Sequence, residues 1–66
     1  MYKIANVYLN TKTNTYETSY FNYISKNSYT FERDDSKATL FKTRVRAINT
    51  LRDCGLEYWR YAFLEV

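Results

Sequence analysis

Alternating apolar and polar positions dominate the first half of the chain and predict three strands. The stretch 2–10 is rich in apolar residues and predicts the first strand, and 16–24 shows the period-two alternation of a second strand. A short third strand is predicted at 29–33. The polar connections at 10–14 and 25–28 are short, so the three strands must be antiparallel neighbours.

The second half changes to a helical pattern. The polar run 34–36 is typical of a turn and ends the sheet, and one irregular helical turn is predicted at 37–40. Thr43 has the residue type of a helix N-cap, so the main helix should start there and run to about Cys54. Gly55, the only glycine, stands where a left-handed C-terminal cap is needed.

The predicted helix is amphipathic. Its apolar face is made of Val45, Ala47, Ile48, Leu51 and Cys54. Its polar face carries Lys42, Arg46, Asn49 and Asp53. The apolar stripe must pack on the sheet, and the aromatic stretch 57–66 predicts a last strand. The expected fold is therefore a single α+β domain over 1–66, with an antiparallel sheet of three to four strands packed on one α-helix in the order β-β-β-α-β.

The residue inventory argues against catalysis and against a bound cofactor or metal. The chain contains no histidine, so it lacks the usual general base and cannot build a Cys/His zinc site. Cys54 is the only cysteine and lies on the predicted apolar face, which favours a small core residue over a nucleophile. Asp34 and Asp35 are adjacent carboxylates, but in a turn they point apart and are better interpreted as turn and cap residues. We expect a non-catalytic binding protein without a cofactor.

Charge and composition bear on the type of partner, the cellular location and the source of the protein. The net charge of +3 is mild for a dedicated nucleic-acid binder, and it argues against mimicry of DNA, which needs an acidic surface. There is no amino-terminal apolar region and no apolar run long enough to span a membrane, so a cytoplasmic protein is expected. Abundant Asn, Lys and Tyr with almost no Pro, His or Gly is typical of an AT-rich genome, such as that of a low-GC bacterium or its phage.

A basic cluster at the helix start is the first candidate contact surface. It consists of Lys37, Lys42, Arg44 and Arg46. Cations at a helix N-terminus oppose the macrodipole at a cost of about 0.3–1 kcal/mol each, so stability alone would favour acidic residues there. The cluster suits an anionic partner, phosphate or an acidic protein surface. The alternative is a solvated charged face that tolerates a small penalty.

The sheet face turned away from the helix is the second candidate. One helix covers one face only, yet strands two and four are predicted to place apolar residues on both. Trp59, Tyr61 and Phe63 should share one face of the last strand, and Tyr58 and Leu64 the other. With Tyr16 or Tyr20, the latter pair would form a patch for a partner protein or for a second copy in a homodimer. The alternative is a set of ordinary surface tyrosines.

The helix start lies in the segment Ala38-Thr39-Leu40-Phe41-Lys42-Thr43-Arg44-Val45-Arg46-Ala47, which is followed by Leu51 and Gly55. This segment resembles a pattern of small phage proteins that have a final strand after the helix. Its F-x-T-x-x-x-A helix start is also similar to the small arm-binding domain of tyrosine-type phage integrases, a three-stranded sheet backed by a helix. In that family the sheet sits in the major groove of DNA. The resemblance implies that Lys3, Lys12, Tyr20 and Lys26 would face DNA.

These observations leave two functions open. The first is a phage-type protein that modulates or inhibits a host protein complex in the host cytoplasm, for example a defence system such as a CRISPR effector. The second is a DNA- or RNA-binding module that uses the basic sheet and helix start. An accessory subunit held in a homodimer would be compatible with either.

Overall fold

The computed structural model describes residues 1–66 and contains four strands, one α-helix and two 3₁₀ turns. The strands are β1 (Tyr2–Asn10), β2 (Thr15–Ser25), β3 (Ser28–Glu32) and β4 (Ala62–Glu65). They form one antiparallel sheet in the order β3-β2-β1-β4, and the helix α1 (Arg44–Asp53) precedes β4 in the chain. The expected α+β fold in the order β-β-β-α-β is confirmed.

The predicted last strand is too long. Only Ala62–Glu65 pairs with β1, whereas Tyr58–Arg60 forms a 3₁₀ turn. In that turn the N–H of Arg60 donates to the Glu57 carbonyl at 3.0 Å. An aromatic run has the composition of a strand, but it becomes one only where a neighbouring strand supplies a ladder.

Both ends of α1 are capped as the sequence predicts. The hydroxyl of Thr43 accepts the N–H of Arg46 at 3.1 Å, which satisfies one of the free donors of the first turn. At the other end Gly55 has a φ of 75°, and the N–H of Leu56 donates to the Leu51 carbonyl at 2.9 Å. This is a Schellman ending, in which the left-handed residue is glycine because it has no Cβ.

The core is small and lies between α1 and one face of the sheet. Its buried cluster consists of Ile4, Phe21, Phe41, Ala47 and Leu51. Half-buried aromatic rings from the strands surround the cluster, and Phe21 lies between Phe31 and Tyr29 with ring centroids 5.6 and 5.5 Å away. Aromatic packing therefore supplies much of the core of this short chain.

Val45 was predicted on the apolar face of the helix, and the structure shows that this is wrong. Its side chain is 65% exposed, whereas Ala47 and Leu51 are fully buried and Ile48 and Cys54 are half-buried. At 3.6 residues per turn, Val45 lies about 160° around the helix axis from Ala47. The helix contacts the sheet along a narrow stripe, so an apolar residue at that angle remains in solvent.

The connection between β3 and α1 begins with a 3₁₀ turn at Asp35–Lys37, slightly earlier than the turn predicted at 37–40. Asp34 caps it, because its Oδ1 accepts the N–H and the hydroxyl of Ser36 at 3.0 and 2.7 Å. These hydrogen bonds hold the pKa of Asp34 below its ordinary value of 3.8. The interpretation of the acidic pair as turn and cap residues agrees with this geometry for Asp34.

The connection then enters the sheet. The N–H of Thr39 donates to the Phe21 carbonyl at 3.0 Å, and the hydroxyl of Thr39 accepts the N–H of Tyr23 at 2.8 Å. Phe41 and Tyr2 exchange two backbone hydrogen bonds of 2.7 and 2.8 Å. The segment thus lies between the start of β1 and the end of β2, where the two strands no longer pair, and it delivers the Phe41 ring to the core.

Candidate partner-binding surfaces

The strand register assigns each side chain to a face of the sheet. Ile4 lies opposite Phe63, and Phe21 lies opposite Phe31; these side chains pack under the helix. The alternate residues of each strand occupy the other face, called the open face from here on. They include Lys3, Val7 and Leu9 of β1, Tyr16 and Tyr20 of β2, and Leu64 of β4.

Tyr20 was predicted to contribute to an exposed patch, but in the structure it is half-buried. The ammonium of Lys3 lies 5.0 Å from the centroid of the Tyr20 ring and also 3.3 Å from Oδ2 of Asp35. Lys3 stands opposite Leu64 in the register. The half of the open face around the start of β1, called the lower half, is therefore occupied by a cation–π pair and an ion pair rather than by free rings.

The upper half of the open face, around the end of β1, carries a separate apolar strip. This strip is made of Val7, Leu9 and Tyr16. Leu9 lies directly opposite Tyr16, and the three side chains are 54%, 46% and 77% exposed. Leu64 lies level with Lys3, six residues down β1 from Leu9, which is about 20 Å along the strand. Tyr16 and Leu64 therefore do not belong to one continuous patch.

Tyr58 lies away from the open face, on a structure that we call the aromatic turn: Tyr58, Trp59 and Arg60. The Trp59 side chain is 65% exposed, and Tyr58 meets it edge-on with ring centroids 5.3 Å apart. Trp59 was predicted to point with Tyr61 and Phe63, which is wrong because the 3₁₀ turn breaks the alternation of the strand. One sequence signal could have revealed the turn: Glu57 and Arg60 form an ion pair at 3.1 Å with helical i,i+3 spacing.

The basic cluster at the helix start is divided by its contacts. The guanidinium of Arg44 lies 5.1 Å from the centroid of the Phe63 ring, so this cation has a packing role. Lys37, Lys42 and Arg46 are exposed, and none of them takes part in the three ion pairs of the structure. The first turn of α1 contains no acidic residue. Lys42 and Arg46 therefore keep an uncompensated positive charge at the positive end of the helix dipole.

The residues that the integrase resemblance assigns to DNA are spread along the whole length of the sheet. Lys12 lies in the turn between β1 and β2, and Lys26 lies in the turn between β2 and β3. These turns are at opposite ends of β2, which has 11 residues and spans about 35 Å. Lys3 is held by Asp35 and Tyr20, as described above.

The remaining features to consider are the cysteine thiol, clusters of metal ligands, pockets and membrane-spanning helices. Cys54 is a half-buried free cysteine, and burial together with the neighbouring charge of Asp53 raises the pKa of its thiol above 9.0. The structure contains no cluster of three or more potential metal ligands and no detectable pocket. The single α-helix is neither long nor apolar enough to cross a bilayer.

Comparison of the chain with protein-family models, with curated proteins and with solved structures finds no match. The resemblance to integrase arm-binding domains stays a prediction.

Proposed function

We propose that this chain is a small, non-catalytic binding protein that modulates a larger protein complex, a host complex if the chain is encoded by a phage, and that the aromatic turn is its main contact. The observation that carries the proposal is the exposure of Trp59. A tryptophan that is 65% exposed contributes little to the core, and leaving so large an apolar surface in water is unfavourable. Its exposure is better explained by a partner than by stability.

The composition and rigidity of the aromatic turn support a protein partner. Trp, Tyr and Arg are the residue types most enriched among the few residues that dominate protein–protein affinity. Here they occur consecutively at positions 58–60. Tyr58 braces the Trp59 indole edge-on, and the ion pair to Glu57 restrains Arg60. A preformed anchor loses less conformational entropy on binding than a flexible one.

Affinity capture from host lysate, with Trp59→Ala compared to Ile24→Ala, tests the proposal. Ile24 is a matched control because it is 67% exposed and lies on β2, outside the aromatic turn. Loss of an interface anchor costs about 2 kcal/mol or more, so we expect Trp59→Ala to weaken capture of the partner at least about 30-fold. Ile24→Ala should capture it like the native chain. If both folded variants retain the same partner with the same affinity, the aromatic turn is not the contact.

Nucleic acid is the second candidate, and the uncompensated Lys42 and Arg46 favour it. The double variant Lys42→Glu/Arg46→Glu should abolish binding to a short DNA or RNA duplex if these cations contact phosphates. The affinity of the native chain should then fall steeply as the salt concentration rises, because each phosphate contact releases about one counterion. Arg33→Glu serves as the control, because Arg33 is exposed but already paired with Glu17 at 2.9 Å. Absence of binding at low salt would eliminate this candidate.

A further inference from the structure

The backbone of β1 alternates in the direction of its hydrogen-bonding groups. Met1 exchanges backbone hydrogen bonds with Val66 on the β4 side, whereas Tyr2 directs its N–H and C=O to Phe41 on the opposite side. Asn10 also directs its carbonyl to the β2 side, where it accepts the N–H of Asn14. Odd-numbered residues of β1 therefore point their backbone groups towards β4, and even-numbered residues point towards β2.

Strand β4 is too short to use all of these groups. Its ladder with β1 ends at the pair Ala5 and Ala62. Val7 and Leu9 are the next two residues that point to this side, and no turn, loop or side chain bonds their N–H or C=O groups. Two donors and two acceptors stand in a row on an open sheet edge.

This edge lacks three of the features that usually block strand pairing: a charge, a proline and a bulge. Natural sheets protect exposed edges with lysine, proline, a bulge or a covering element. Residues 6–10 read Asn-Val-Tyr-Leu-Asn, with no charge and no proline, and their register with β2 is regular. The Val7 and Leu9 side chains are also exposed on the open face.

The same five residues are self-complementary. The segment is nearly palindromic about Tyr8, with an aliphatic residue on each side and an asparagine beyond each of these. In a two-fold antiparallel pairing centred on Tyr8, Val7 of one copy faces Leu9 of the other. Both Val7 and Leu9 direct their backbone groups outward, so this register forms all four hydrogen bonds.

From this geometry we infer that the upper half of β1 pairs with the same segment of a second copy, giving a two-fold dimer with a sheet continuous across both protomers. On the open face the Val7 and Leu9 side chains of the two copies lie together, flanked by the Tyr16 rings. The facing flanks of these four aliphatic side chains become buried, a gain for a chain that buries only 7 of its 66 residues. A ladder this short falls short of a standard interface, so the dimer is weak and concentration-dependent.

Sedimentation equilibrium over a wide concentration range tests the pairing with Val7→Pro and Val7→Lys. Proline removes the outward N–H and is tolerated at a sheet edge, and we expect it to weaken dimerisation at least about tenfold. Val7→Lys places two like charges near the two-fold axis and should have a similar effect without loss of a backbone donor. Val45→Lys is the matched control, because Val45 is similarly exposed but lies on the outer side of α1. A native chain that is monomeric up to about 1 mM overturns the inference, as does a dimer that neither Val7 variant weakens while circular dichroism shows both folded.

Disulfide trapping tests the register. In the proposed dimer the two Tyr8 residues form a non-hydrogen-bonded pair with Cα atoms about 4.5 Å apart, within the range that a disulfide bridges. Tyr8→Cys in a Cys54→Ala background should therefore crosslink readily under mild oxidation. Tyr16→Cys in the same background is more exposed but lies about 16 Å from its copy, three strand spacings across and two residues along the strands, and should not crosslink. Equal crosslinking of the two variants, or none at Tyr8, refutes this register. Trp59→Ala should leave dimerisation unchanged, which separates this inference from the proposed function.

Discussion

Replacement of Leu51 by alanine tests how the helix sits on the sheet. Leu51 is fully buried and packs in one cluster with Ile4, Phe21, Phe41 and Ala47. Truncating a buried leucine costs about 2–5 kcal/mol, depending on how far the surroundings collapse into the cavity. Phe41 is slightly exposed and can shift inward, so we place the loss near 3 kcal/mol.

This loss is large for so short a chain. At about 0.05–0.15 kcal/mol per residue, the whole domain has about 3–10 kcal/mol of stability. For a domain of this size each kcal/mol shifts the melting temperature by about 4–8 °C, so Leu51→Ala should lower it by about 12–24 °C. Leu51→Asp, which buries an unpaired charge, should leave the chain unfolded.

Thermal melts followed by circular dichroism, with urea titrations at a fixed temperature, measure the effect. Val45→Ala is the control, because the hydrophobic pattern assigns Val45 and Leu51 to the same face whereas the structure places Val45 in solvent. Its melting temperature should change by no more than about 4 °C, since exposed substitutions fall within about 0.5 kcal/mol. Equal destabilisation by the two variants would refute the helix orientation described here.

Three further outcomes follow from individual contacts. Thr43→Ala should lower the unfolding free energy by about 1 kcal/mol through loss of the N-cap hydrogen bond, while Thr43→Ser should retain most of it in the same urea titration. Arg46→Glu should raise the unfolding free energy by about 0.3–1 kcal/mol, because an acidic residue suits the helix start. Arg44→Glu should raise it less, because this variant also loses the contact with Phe63. Equal gains in the two variants would show that this contact is unimportant. Burial raises the pKa of Tyr61 above 10.0, so the folded state keeps the proton longer than the unfolded state. Stability should therefore fall as pH rises past about 10, and less so in Tyr61→Phe; identical alkaline profiles would contradict this.

Local patterns along the chain were sufficient for most elements. Strand β1 has the predicted limits, and β2 and β3 differ from prediction by one residue at each end. Thr43 and Gly55 cap the helix as expected, because capping depends on residues only a few positions apart in the chain. The side-chain types of the candidate surfaces were also visible in the sequence, including Tyr16, Tyr58 and the cations of the helix start.

The arrangement of those side chains depended on contacts between distant segments. Trp59 reached the surface because β1 pairs with only four residues of the last stretch, which leaves 58–60 free to form a turn. Lys3 covers Tyr20 because the connection after β3 brings Asp35 beside it. The open edge at Val7 and Leu9 likewise exists because β4 begins only opposite Ala5. Sequence periodicity determines which face of an element is apolar, because neighbouring residues share one backbone geometry. The element that packs against that face is determined by strand order and ladder length. These arise only when the whole chain has packed.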